Sequence, residues 1–160
     1  MNNGIFLLLG SNLGDRAQNL ETSRNLIQQT AGRIVKASSI YQTAAWGKSD
    51  QPDFYNQVIE IETLLDPDTL LQTTLQIEEH MGRTRTEVWG SRIIDIDILL
   101  YGDVIVEHER LKIPHPQMTN RRFTLVPLSE IASEVIHPIT RKEIRELLLI
   151  CEDQLAVVKV

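Results

Sequence analysis

Cysteine is nearly missing from this chain. Cys151 is the only one in 160 residues, so neither an internal disulfide nor a cysteine-ligated zinc site can be built, and a reducing cytoplasm is the expected compartment. Glycine and proline are sparse, eight and six residues, which excludes collagen-like and low-complexity chains. No apolar run approaches the length of a membrane span. The first one, residues 5–9, is too short and lacks the basic flank of a signal peptide, so no membrane association is expected. An excess of positive charge is also missing: the formal net charge is −6, which argues against general affinity for nucleic acid. Neither GxGxxG nor GxxxxGK[ST] occurs, so the common phosphate-cradling loops are lacking. No repeat or linker is visible. A 42% apolar chain of this length is expected to form one domain, residues 1–160, with a proper core.

Against these absences stands one dense stretch, Gly82 to Leu100, GRTRTEVWGSRIIDIDILL. Its second half reads as a strand. Ile93, Asp95, Asp97 and Leu99 fall on one face, and Ile94, Ile96, Ile98 and Leu100 on the other. Two carboxylates thus point the same way, about 6.5–7 Å apart along the backbone. A strand this β-branched is expected to be largely buried, where paired anions are costly without a compensating charge. A cation resolves that conflict. An all-oxygen, carboxylate-rich site suits magnesium, which shares its shell with water and substrate phosphates. Arg83, Arg85 and Arg92 stand just before the strand, as polyphosphate chemistry requires. Taken alone, an Asp-x-Asp strand remains open between a metal site and a solvated, salt-bridged face; the apolar Ile93 and Leu99 on the same face weigh against the second. Seven of the sixteen Lys and Arg residues (Arg83, Arg85, Arg92, Arg110, Lys112, Arg121 and Arg122) lie between positions 83 and 122. A local basic cluster on an acidic protein matches a small anion better than a duplex.

The rest of the chain supplies the frame. A strand over 5–9 leads into the turn Gly10–Asp15, read mainly as structural, where Asn12 or Asp15 can cap a helix over 16–30. Ala17, Leu20, Ile27 and Ala31 mark its apolar stripe, and Gly32 ends it. A second strand is expected over 33–41, then a loop over 43–53 in which Trp46 reads as a hydrophobic anchor. A third strand over 54–63 puts Phe54 and Asn56 on one face, an aromatic plate beside an amide that could hold a flat heterocycle. Core packing for Phe54 and a turn role for Asn56 are the simpler readings. Asp66-Pro67 opens a second helix with Leu70, Leu71, Thr74, Ile77 and Met81 inward, stopped by Gly82. After the Asp-x-Asp strand, Tyr101-Gly102-Asp103 predicts a hairpin with a short strand over 104–106. His115 sits between two prolines, stiffly presented, although by itself such a histidine is more often merely exposed. Helical turns with a break at Pro127 are expected over 119–131, and a closing helix opened by Thr140 with Glu143 as a capping box.

The order strand, helix, strand, strand, helix, strand, followed by a hairpin and helices, is that of a ferredoxin-like α+β sandwich with an antiparallel sheet. The first and fourth strands are expected at its centre.

Several blocks, GSNLGD at 10–15, QPDFYN at 51–56, MGRTR at 81–85, WGSRIIDIDIL at 89–99 and IPHPQMTNRRF…PLSEI at 113–131, together resemble the 6-hydroxymethyl-7,8-dihydropterin pyrophosphokinases of folate biosynthesis. That resemblance covers residues 5 to about 131. It implies pyrophosphoryl transfer from ATP to the hydroxymethyl oxygen of a reduced pterin, with release of AMP. It implies two magnesium ions held by Asp95 and Asp97. Phe54 and Phe123 are then expected to stack on the pterin, Asn56 and the backbone at Thr43 and Ala44 to read its edge, and Trp46 to wall the pocket. Glu78, Arg83, Arg85, Trp89, Arg92, Ile98, Arg110, Lys112, His115 and Arg121 match nucleotide-site positions, with Arg83 and Arg92 as the catalytic loop arginines. A monomer is expected. Loops near 10–15, 43–53 and 82–92 are expected to close over the substrates. Ala44-Ala45, Phe54, Val88 and Ser91 depart from the commonest pattern, which places the loop geometry, not the chemistry, in question. Two other classes fit the residues less well: a different magnesium-dependent nucleotidyl enzyme on a ferredoxin-like sheet, and a non-catalytic ligand-binding domain.

Overall fold

The alternation of side chains along the first strand, β1 (Ile5–Ser11), decides the architecture. Leu7 and Leu9 belong to one apolar cluster, and Phe6 and Leu8 to another. A strand buried on both faces needs a layer of structure over each. The computed structural model, which describes residues 4–44, 52–82 and 93–160, supplies them. β1 is followed by α1 (Arg16–Thr30), β2 (Arg33–Ala37), β3 (Tyr41–Thr43), β4 (Phe54–Glu62), α2 (Pro67–His80) and β5 (Asp95–Tyr101). Then come the hairpin strands β6 (Val106–His108) and β7 (Leu111–Ile113), a 3₁₀ turn at Met118–Asn120, α3 (Arg122–Ala132), α4 (Ile144–Ile150) and β8 (Val157–Lys159). The main sheet runs β5-β1-β4-β3-β8, with β2 also on β4, and every pairing is antiparallel. This is the ferredoxin-like arrangement, with β6–β7, α3, α4 and β8 added.

Leu20 and Ile27 of α1 and Leu70 and Ile77 of α2 pack on the face that carries Leu7, Leu9, Ile59, Ile61, Ile94, Ile96 and Ile98. Leu125, Leu128 and Ala132 of α3 and Ile144 and Leu147 of α4 cover the opposite face, with Phe6, Leu8, Val58, Leu99 and Leu100. Local chemistry sets the helix ends. Asp15 caps α1 by accepting the Gln18 N–H at 3.1 Å, and Asp66 caps α2 by accepting that of Thr69 at 2.8 Å. Gly82 leaves α2 in the left-handed region at φ 89°. Among the described residues, no helix is long and apolar enough to cross a membrane.

Several expectations are corrected. The strand over 33–41 is two strands, β2 and β3, because Ser38 interrupts it: its hydroxyl and amide both bond to Val58 of β4. Ala17 is exposed, and Ser23 takes the inward place on α1, its hydroxyl donating to the Leu20 carbonyl. β5 ends the sheet rather than sharing its centre; β1 and β4 are central. Leu100 lies opposite Phe6 while Ile98 lies opposite Leu7, so a bulge at Leu99 puts Leu100 on the face away from Ile98. The hairpin forms between β6 and β7, not between β5 and residues 104–106. Pro127 does not break α3: it is the sixth of eleven residues, and the helix runs on through it to Ala132, short only of the one main-chain donor that proline lacks. The last helix begins after Glu143, whose side chain forms the capping box with Glu146, three residues later than expected. The valine-rich end of the chain, for which the sequence predicts no element, forms β8.

Candidate active site

On the face covered by α3 and α4, apolar packing stops partway along the strands. Residues paired across an antiparallel sheet share a face. Leu8 lies between Asp97 and Val58, and the next row reads Asp95, Gly10, Asn56, Tyr41. Thr43 and Phe54 pair one step further on. Asp95, Asp97, Asn56, Phe54 and Thr43 thus rise from a single floor. Asn56, only 4% exposed, donates from Nδ2 to the Thr43 hydroxyl at 2.9 Å, so the amide is tied across from β4 to β3. Gly10 makes this possible: a Cβ there would stand 2.8 Å from Asn56 Oδ1 and 3.6 Å from the Phe54 ring.

The entry of α3 forms a wall beside this floor. The Arg121 guanidinium carbon lies 5.5 Å from the centre of the Phe123 ring, within cation–π range. Arg121 is half-buried, and burial pushes its pKa down, while the carboxylates of Asp97 and Asp153 oppose that shift and favour the charged form. His115 is anchored to the outer edge of β5 by its N–H, which donates to the Leu99 carbonyl at 3.0 Å. Its Nδ1 accepts the Gln117 N–H at 3.1 Å. Burial, and then the charge of Arg121, lower its pKa from 6.5 to about 4. At neutral pH the ring is uncharged, with its proton on Nε2.

Among the described residues, no group of three or more His, Cys, Asp or Glu could enclose a metal ion. Asp95 and Asp97, both half-buried on one face, offer oxygens only. A pair of this kind fits a hard divalent cation that completes its shell with water and phosphate, and does not fit a closed zinc site.

Comparison with known proteins decides the class. The family model for 7,8-dihydro-6-hydroxymethylpterin-pyrophosphokinase matches residues 6–133. The chain belongs to this family. A protein of Bacillus subtilis named 2-amino-4-hydroxy-6-hydroxymethyldihydropteridine pyrophosphokinase is 45% identical over 144 residues, covering 89% of this chain and 86% of that protein. A Haemophilus influenzae protein of the same name is 45% identical over 134 residues, covering 83% of this chain and 84% of its own. The folic acid synthesis protein fol1 of Schizosaccharomyces pombe is 38% identical, and the match takes up only 20% of its length. In fold, the chain is similar to Plasmodium falciparum HPPK-DHPS, with a TM-score of 0.71, 21% identity and 91% of this chain covered. It spans less than half, 43%, of that larger chain.

The pyrophosphokinase expectations can now be placed. Asp95, Asp97, Phe54, Asn56 and Thr43 share the floor, Ala44 follows Thr43 at an exposed position, and Arg121 and Phe123 stand at the wall. Arg110 and Lys112 are exposed on the β6–β7 hairpin. Ile98 is buried against the α1–α2 side, so any nucleotide contact it makes has to come from its main chain. Glu78 is 4% exposed, and its carboxylate accepts the Ile96 N–H at 2.7 Å. It ties α2 to the residue between the two aspartates. Arg83, Arg85, Trp89, Arg92 and Trp46, with Ala45, Val88 and Ser91, lie outside the described residues. So does most of the expected 43–53 and 82–92 loops. The first turn is built in: Asn12 is buried and donates to the Pro52 carbonyl at 3.2 Å.

Three contributors went unread in the sequence. Gly10 passed for a plain turn glycine; its signal was the Gly-Ser-Asn-Leu-Gly block that the pyrophosphokinase resemblance already contained. Glu130 holds β3 from α3, accepting from the Tyr41 hydroxyl at 2.6 Å and the Ser39 amide at 3.0 Å. Asp153 caps α3 from 31 residues away. Glu130 belongs to the PLSEI block of the resemblance and Asp153 to no block, and for neither does the local sequence name the distant group it holds.

Proposed function

We propose that this chain transfers the pyrophosphoryl group of ATP to the hydroxymethyl oxygen of 6-hydroxymethyl-7,8-dihydropterin, releasing AMP. The observation that carries this reading is one sheet face presenting two carboxylates beside an aromatic–amide floor, with a half-buried arginine between them and a second aromatic ring. In the reaction the hydroxyl oxygen bonds to the β-phosphorus of ATP, the bond from that phosphorus to the α,β-bridging oxygen breaks, and the hydroxyl proton is lost. Charge moves only among oxygens, so catalysis is mainly positioning and electrostatic stabilisation.

Phe54 and Phe123 supply plates for the pterin ring, and Asn56, oriented by Thr43, supplies donors and an acceptor for its edge. Asp95 and Asp97 would hold two magnesium ions, which supply positive charge between the phosphates when bound. Arg121 adds fixed positive charge on the same side, and neutral His115 can donate from Nε2 without adding to it. Arg83 and Arg92 are assigned to the phosphates, and Arg85, Trp89, Arg110 and Lys112 to the nucleotide. A cytoplasmic monomer completes the reading.

The test is to incubate the purified protein with ATP, magnesium and the hydroxymethyl-dihydropterin and identify the adenine product. AMP formed only when pterin is present is the expected result. ADP would mean single phosphoryl transfer and would overturn the reaction; removal of magnesium with a chelator should abolish turnover.

A further inference from the structure

The family model ends at residue 133, yet the chain returns to the site after that point. α3 starts directly after Arg121, whose cationic side chain makes no capping bond to the helix, since it has no acceptor to offer. The missing acceptor comes from Asp153. Its Oδ2 accepts the Arg122 N–H at 3.0 Å, and its Oδ1 accepts the Leu155 N–H at 3.0 Å, which locks the carboxylate into its own turn. The same carboxylate lies close enough to help keep Arg121 charged. Two residues beyond Leu155, β8 lies along β3, with Val157 opposite Thr43, Val158 opposite Gln42 and Lys159 opposite Tyr41. The Val160 N–H closes the ladder on the Ile40 carbonyl at 2.9 Å. β3 is three residues long; without β8 it would be a short edge strand, free to fray. One segment therefore braces two separated parts of the floor and wall: the α3 entry with Phe123, and the β3 edge with Thr43, the partner of Asn56.

We propose that segment 152–160 is a positioning element of the pterin-binding side, in which Asp153 sets the α3 entry by capping it and β8 sets Thr43. The inference rests on the pterin reading above and adds residues that the family match does not reach. No residue of the segment is placed against substrate, so its effect runs through Phe123 and Asn56.

The full-length chain is to be compared with Asp153→Ala, Asp153→Asn and Val158→Pro, measuring equilibrium affinities for the reduced pterin and for ATP separately, together with Tm. Asn keeps an oxygen acceptor but no charge, so it separates capping from electrostatics. Val158 is 60% exposed, so its replacement disturbs pairing without opening a core cavity. The expected result is pterin affinity lowered about fivefold in Asp153→Ala, the size of a lost cap, and restored to within about twofold in Asp153→Asn. In Val158→Pro, pterin affinity should fall while ATP affinity holds. Unchanged pterin affinity in Asp153→Ala and Val158→Pro overturns the inference. So does Asn as weak as Ala, or a loss for both ligands that simply follows Tm. Wild-type protein that binds no pterin would instead overturn the functional reading on which the inference stands.

Discussion

The two faces of the sheet are made from alternate residues of the same strands and have opposite fates. Toward α1 and α2, apolar side chains dominate: Ile94, just before β5, and Ile96 and Ile98 within it are each at most 5% exposed and interlock with Leu20, Ile27, Leu70 and Ile77. The buried polar Ser11 and Gln57 on this face are bonded to Asn19 and Arg24 of α1. Toward α3 and α4, the same strand offers Asp95 and Asp97, and β1 beside it offers Gly10. Packing there is complete only near Phe6, Leu8, Val58 and Leu100. One face is thus covered by helices with its few polar groups paired to them, and the other is sealed over part of its length and left polar over the rest. Because neighbouring residues are locked to opposite faces, the polar half can be held rigid by the packed side directly behind it. Ile96 shows this coupling: its side chain is in the core, its N–H is held by Glu78, and its two neighbours are the carboxylates.

Substitutions on the two sides of β5 test that division. Asp97→Asn should lower turnover by about two orders of magnitude or more, the scale of a lost charge-stabilising group, with Tm kept within a few degrees. Turnover near wild type would remove Asp97 from the chemistry. One residue back, Ile96→Ala should do the reverse. About 2–5 kcal/mol of stability should be lost, read as a shift in denaturant midpoint, while activity per folded molecule stays nearly constant. A variant crippled in activity but not in stability would show that the faces are less separate than drawn. Phe54→Ala should weaken pterin affinity by about 1–3 kcal/mol, the range found for stacking on an aromatic plate, with ATP affinity unchanged. A parallel loss of both ligands would make Phe54 a core residue.

The smallest effect concerns acid. The folded protein holds His115 at about 4, below its ordinary 6.5, and burial lowers His137 in the same direction. Between those two values the unfolded chain binds a proton at His115 that the folded one does not. Stability is therefore full above pH 6.5 and declines as pH falls toward 4. His115→Gln should flatten that part of a Tm-against-pH curve, and an unaltered slope would show that His115 is not desolvated.

Much of this could be read in one dimension. The caps at Asp15 and Asp66, the stop at Gly82 and the period-two pattern of residues 93–98 depend on neighbours a few positions away, so the sequence by itself determined α1, α2, β1, β4 and the shared face of Asp95 and Asp97. The linear blocks also determined family membership, since motif order and spacing survive without coordinates. Tertiary structure decided what depends on partners far along the chain. Whether β5 lies at the centre or the edge is a matter of which strands pair, and a bulge at Leu99 appears only against β1. β8 is a strand because β3 lies beside it; its three residues could not hold that form alone. Asp153 and Glu130 act 31 and 89 residues from the groups they hold. A carboxylate carries no mark of its acceptor role until folding brings an unmet N–H or hydroxyl within 3 Å of it.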